Sequence, residues 1–131
     1  MTMETKTKNE TTMTEENPLS ESENAFTVIE VASEAELYGV TGGETACAVL
    51  FYAGWCSNCK MQAAEFYDVA KDLNGRIKFV KADVDLTPAA AKDFGIEEIP
   101  SVAVIKSGKL LEKVSGLRAR AGLCELLIKY I

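Results

Sequence analysis

Histidine is missing altogether from the 131 residues. That excludes a histidine general base, a Ser-His-Asp or Cys-His catalytic pair and any metal site that needs an imidazole ligand. Long apolar runs are missing too: nothing approaches the roughly 18–20 apolar residues of a membrane-spanning helix, and the N-terminus lacks the basic-then-apolar pattern of a secretory signal. Basic charge is scarce, with 14 lysines and arginines against 20 acidic residues and a net charge of −6. A polyanion such as nucleic acid would be repelled. The four cysteines are too few for a disulfide scaffold in a chain this long. What remains, 47% hydrophobic and 26% charged, is the balance of one soluble domain with neither a nucleic-acid nor a membrane partner, and the expected location is cytoplasmic.

The charge is unevenly placed. Residues 1–24 carry Glu4, Glu10, Glu15, Glu16, Glu21 and Glu23 against Lys6 and Lys8, with Met1, Met3, Met13 and Leu19 as their apolar side chains. So little apolar surface cannot offset the entropy of ordering the segment, and it reads as a disordered acidic tail. Asn9-Glu10-Thr11 inside it matches a glycosylation acceptor, an accidental match where no secretory signal precedes it.

Residues 25–131 read as a domain. Phe26 to Val31 is strand-like, and Ser33 offers an N-cap for a short helix from Glu34 to Tyr38. Ala46 to Ala53 is eight apolar residues without a charge, the pattern of a strand covered on both faces. Met61, Ala64, Phe66, Val69, Ala70 and Leu73 follow near helical spacing, and Asn74-Gly75 closes the helix. A strand over 76–85, a short helix from Thr87-Pro88 to Phe94, two strands around the Lys106–Lys109 turn and a last helix striped by Leu123, Leu126, Leu127 and Tyr130 complete the order βαβαβαββα. Alternating strands and helices imply parallel pairing, and the terminal hairpin an antiparallel edge, so the fold class is α/β.

The chemistry concentrates in Trp55-Cys56-Ser57-Asn58-Cys59-Lys60, between the central strand and the long helix. Two cysteines three residues apart at a helix start can close a disulfide. The unpaired N–H groups and positive dipole end there favour a thiolate on Cys56, leaving Cys59 to resolve a mixed disulfide. An isolated C-x-x-C is also half of a zinc site or a pair of packed cysteines. Zinc would require Cys47, in the buried strand, and Cys124, on the far helix, so no metal is expected.

The chain resembles the thioredoxin family over residues 25–131. The landmarks are the apolar strand, Trp55-Cys56-x-x-Cys59-Lys60-Met61, Lys81-Ala82-Asp83-Val84-Asp85, Phe94-Gly95-Ile96-x-x-Ile99-Pro100-Ser101, the Lys106-Ser107-Gly108 turn and Gly116. The resemblance implies a thioredoxin fold, a central five-stranded mixed sheet flanked by helices, and a protein disulfide reductase whose only redox group is its own Cys56–Cys59 pair, without a separate cofactor. It further implies a cis Pro100, with Ile99 offering its backbone to an extended target segment, and a surface of Trp55, Ile99, Pro100 and Gly116 around Cys56. Disulfide-containing proteins and a thioredoxin reductase are the implied partners.

Several residues carry two readings at this stage. Trp55 is either sheet packing or target surface, and Gly116 either a backbone requirement or part of that surface. Lys81 is either a solvated edge charge or, with Lys60, a group for proton transfer or pKa tuning. Cys47 reads as core, and Cys124 as a partly exposed thiol. Three departures from the family pattern bear on mechanism. Leu50 stands where the family usually has a buried aspartate that helps move the proton of the second cysteine. Ser57-Asn58 replaces Gly-Pro, and Ala64 replaces a proline that kinks the long helix. These departures keep two alternatives open, a thiol oxidase or isomerase on the same fold and a non-catalytic binding module.

Overall fold

The computed structural model describes residues 28–73 and 75–131. The expected acidic tail 1–24, the Asn9 acceptor, Phe26 and Thr27 of the expected first strand and Asn74 of the expected helix stop lie outside the described residues.

The chain order is β1 (Val28–Val31), α1 (Glu34–Thr41), β2 (Cys47–Tyr52), α2 (Ser57–Leu73), β3 (Lys78–Asp83), α3 (Pro88–Asp93), β4 (Ser101–Lys106), β5 (Lys109–Ser115) and α4 (Arg120–Leu127), followed by a 3₁₀ turn over Ile128–Tyr130. The five strands form one sheet in the order β1-β3-β2-β4-β5, in which β1 with β3 and β3 with β2 pair parallel, and β2 with β4 and β4 with β5 pair antiparallel. This is the expected α/β architecture with a five-stranded mixed sheet.

The apolar run from Ala46 to Ala53 supplies β2 from its six central residues, which lie mid-sheet and meet helices on both faces. Ala48 and Leu50 point to one side, into a core with Phe66, Val69 and Ala70 of α2 and Leu123, Leu126 and Leu127 of α4. Cys47, Val49 and Phe51 point to the other, with Leu37 of α1 and Ala90 and Ala91 of α3. This period-two alternation is what makes a doubly covered strand apolar throughout. Two local signals are realised. Ser33 caps α1 by accepting from the Glu36 N–H at 3.1 Å. The β4–β5 turn places Ser107 and Gly108 at φ 53° and 76°, the two left-handed residues of a tight hairpin.

The reading of the long helix needs correction. It begins at Ser57, directly after Cys56, and its inward face is Cys59, Gln62, Phe66, Val69 and Ala70. Met61 is 56% exposed and Ala64 is exposed, whereas Gln62 is fully buried. Positions 59, 62 and 66 share a face at helical spacing, and a polar side chain occupies the middle one because main-chain groups satisfy it.

The closing turn is fastened by charge. The Tyr130 hydroxyl donates to Glu112 Oε1 at 2.6 Å, and Lys129 Nζ donates to the same carboxylate at 2.9 and 3.2 Å. The tyrosine hydroxyl first, and then the ammonium, hold the Glu112 carboxyl below its ordinary pKa. A lowered folded pKa contributes stability that is present above the unfolded value of about 4.3 and lost as pH falls through the folded one. Glu112→Gln is therefore expected to flatten the acid limb of a melting-temperature profile, and a limb as steep as that of wild type would contradict this.

Candidate active site

The sheet register gathers the expected site at one end. Phe51 of β2 pairs with Ser101 of β4, which pairs with Ser115 of β5, while Tyr52 pairs with Asp83 of β3. The residues just beyond those rows therefore emerge along the same sheet edge: Trp55 and Cys56 after β2, Asp85 after β3, Ile99 and Pro100 before β4, and Gly116 after β5. A crevice outside the carboxyl ends of parallel strands is where open α/β sheets place their ligand sites.

Cys56 and Cys59 form a disulfide with their Cα atoms 5.3 Å apart, within the usual span. Cys56 immediately precedes α2, and its sulfur accepts from the Cys59 N–H at 3.2 Å. Sulfur thus does what a serine oxygen does at an N-cap, taking up an otherwise unpaired helix donor. The same N–H and the helix dipole stabilise negative charge on Cys56 once the bond is reduced. Cys56 is half-buried, whereas Cys59 is 2% exposed. The two sulfurs therefore differ in access.

Around the pair, Trp55 is 73% exposed and its indole N–H donates to Asp85 Oδ2 at 3.0 Å. This decides against sheet packing: the ring lies on the surface, held by its polar edge. The Ile99–Pro100 peptide is cis. Pro100 is buried and Ile99 half-buried. Gly116 has φ 85° and donates its N–H to Pro100 O at 2.8 Å, so the backbone reading of this glycine holds, and its hydrogen bond also joins the end of β5 to Pro100.

Lys81 is no edge charge. It lies in β3, between Glu30 of β1 and Leu50 of β2 in the register. Its Nζ donates to the Tyr67 hydroxyl at 2.8 Å and sits 4.7 Å from the Tyr52 ring centroid and 5.3 Å from that of Tyr67. The cation is held by an oxygen and two ring faces. Burial, reinforced by donation to Glu30 at 2.6 Å, raises the pKa of Tyr52 well above that of a free phenol. Leu50, at the position of the family's acid, is fully buried in the core under α2. Lys60 is exposed, and as the neighbour of Cys59 in sequence it projects from a different side of the helix.

The two remaining cysteines are free. Cys47 is fully buried in β2, where burial pushes its thiol pKa up and keeps it protonated. Cys124 is half-buried on α4. Among the described residues no three His, Cys, Asp or Glu side chains gather as a metal-binding group, and no helix is long and apolar enough to cross a membrane.

Sequence reasoning missed Asp85, Tyr67 and Gln62. Asp85 stood in a recognised landmark without a role. Tyr67 and Gln62 gave no signal, because their partners are remote in the chain.

A Cys-x-x-Cys disulfide at a helix start on a five-stranded mixed sheet, with a cis-proline at the same end of the sheet, is the arrangement of thiol–disulfide oxidoreductases. Comparison with known proteins makes the assignment specific. The thioredoxin family model matches residues 28–129. A chloroplastic M-type thioredoxin of Zea mays is 38% identical over 112 residues, 85% of this chain and 67% of that protein. A thioredoxin of Staphylococcus haemolyticus is 37% identical over 81 residues, 62% of this chain and 78% of that protein. The solved thioredoxin of Malassezia sympodialis superposes with a TM-score of 0.73 at 27% identity, covering 79% of this chain and 90% of that one. The matches span between half and two thirds of the length of the chloroplastic relatives. The chain belongs to the thioredoxin family.

Proposed function

We propose that the protein is a protein disulfide reductase in which Cys56 is the nucleophile and Cys59 the resolving thiol. The observation that carries this reading is the asymmetric pair: an accessible sulfur at the helix cap and a buried one a turn behind it. The Cys56 thiolate attacks one sulfur of a target disulfide, and the target's other sulfur leaves as a thiolate. Cys59 then loses its proton and attacks Cys56, expelling the second target thiolate and forming the Cys56–Cys59 disulfide. Two electrons pass to the target, whose thiolates take up two protons. No separate cofactor is involved; a thioredoxin reductase returns the electrons.

Trp55, Ile99, Pro100 and Gly116 serve as the target surface. Support for this comes from their shared sheet edge, the exposed indole and the bond between Gly116 and Pro100. An extended segment docking there gains main-chain hydrogen bonds with little demand on its sequence. Lys81, on the sheet face that the dithiol helix covers, tunes the site; support for this is its bond to Tyr67 of that helix. A reducing compartment, the cytoplasm, is supported by the unpaired thiols of Cys47 and Cys124.

The test is insulin reduction driven by NADPH and thioredoxin reductase. Wild type is expected to turn over and Cys56→Ser to be inactive. Comparable activity of the two would favour a binding module instead. A reduction potential near that of protein disulfide isomerase, about −180 mV, rather than near about −270 mV would favour the oxidase or isomerase reading that Ser57-Asn58 raises.

A further inference from the structure

Gln62 is a fully buried polar side chain one turn beyond Cys59. Its amide faces the main chain of Arg118: Nε2 donates to Arg118 O at 3.0 Å, and Arg118 N–H donates to Oε1 at 2.6 Å. The side chain thereby acts as a strand partner for one residue of the loop between β5 and α4. The remainder of that segment is tied less deeply to the same helix, by donation of the Arg120 N–H to Glu65 Oε1 at 2.8 Å and by the Arg120–Asp72 ion pair at 3.3 Å. At its other end the loop begins at Gly116, bonded to Pro100 O at 2.8 Å. Residues 117–119 are therefore suspended between the cis-proline and the helix that carries the dithiol. Beside them opens a cleft of about 340 Å³ lined by Met61, Glu65, Leu117, Arg118 and Ala119, with exposed Met61 and Leu117 supplying its apolar surface.

A buried amide that pairs with loop main chain costs nothing only while both bonds are made; losing them strands polar groups and frees the loop. We propose that Gln62 is a positioning residue for target binding, holding loop 117–119 and its cleft in fixed register with Cys56, so that an extended target segment meets a preformed surface. The inference rests on the reductase reading above. Preorganisation of this kind is expressed in binding of the target, not in the chemistry of the sulfurs.

The experiment is a KM and kcat comparison of wild type with Gln62→Met, which keeps the length of the side chain and removes both bonds. Insulin serves as the protein substrate and hydroxyethyl disulfide as one too small to span the loop. The KM for insulin is expected to rise about three- to tenfold at a kcat within twofold, the scale of one to two neutral hydrogen bonds. Hydroxyethyl disulfide reduction should change less than twofold. An unchanged insulin KM, or equal losses on both substrates, overturns the proposal. Inactivity of wild type itself would instead defeat the reductase reading. Should Gln62→Met not fold, amide exchange in the wild-type dithiol decides: the Arg118 N–H is expected to be protected like those of α2, and exchange as fast as at an exposed loop amide overturns the clamp.

Discussion

Cys59→Ser is expected to turn the protein from a catalyst into a trap. Cys56 lies at the helix cap, half-buried, with its sulfur accepting from the Cys59 main-chain N–H. That bond is made by the backbone, so it survives the substitution and the nucleophile stays activated. The residue lost is the buried one, 2% exposed, which only an attacker already inside the protein can replace. A serine hydroxyl is not appreciably ionised near neutral pH and does not displace sulfur, so the mixed disulfide between Cys56 and the target persists. Its release then depends on outside thiols and uncatalysed rearrangement, a matter of minutes to hours. Insulin turnover should fall to background, while intact-mass spectrometry shows one covalent adduct per chain that reductant removes. Cys56→Ser should form no such adduct. Adducts of equal yield in both variants, or wild-type turnover in Cys59→Ser, would reverse or remove the assigned roles.

The parts of the fold legible in the sequence were those written in apolar periodicity and turn residues. The run Ala46 to Ala53 announced a central strand because both faces of β2 are covered, and Lys106 to Lys109 announced a hairpin because Ser107 and Gly108 take left-handed backbone. Trp55, Cys56, Cys59, Pro100 and Gly116 were legible through motifs, and the register of four strands shows why residues so far apart share an edge. The misreading of α2 has one cause. Periodicity counts a side chain as inward only if it is apolar, so Met61 was counted on the apolar face and Gln62 was passed over. The glutamine is inside because its amide pairs with a main chain 56 residues away, and no local pattern encodes that partner. Lys81 was uncertain for the same reason: its surroundings, Tyr52 from β2 and Tyr67 from α2, exist only after the strand and helix pack. Asp85 shows the lesser failure, a residue seen in a motif whose partner Trp55 is 30 positions distant.

Leu50→Asp, which restores the acid expected from the family pattern, is expected to set stability against rate. Leu50 is fully inaccessible, packed under α2 and paired in register with Lys81 and Val102. Replacing it removes most of a core side chain and buries a carboxyl, for a combined cost of about 3–5 kcal/mol. Domains of this size are typically stable by about 5–15 kcal/mol, so the variant should fold with a lower melting temperature. Desolvation raises the pKa of the new carboxyl, and Lys81 on the adjacent strand opposes that rise. With a net raised folded pKa, the variant is most stable below the unfolded value of about 3.9 and loses stability as pH rises through the folded value. Rate should move the other way. In wild type the ammonium of Lys81 rests on the Tyr67 hydroxyl and two ring faces, with no carboxylate at position 50 to accept a proton from Cys59. An aspartate there supplies a base on the face covered by the helix bearing Cys59, and resolution of the mixed disulfide should quicken by some fraction of the roughly 10²-fold that a well-placed base contributes. The measurement is insulin reduction from about pH 6 to 9 alongside thermal unfolding. A rate that rises and follows the ionisation of the new carboxyl identifies the missing acid as the wild-type protein's kinetic handicap. A destabilised variant with an unchanged pH–rate profile means that wild type already moves the Cys59 proton by another route, and Lys81→Met in the wild-type background then tests whether that route runs through the lysine.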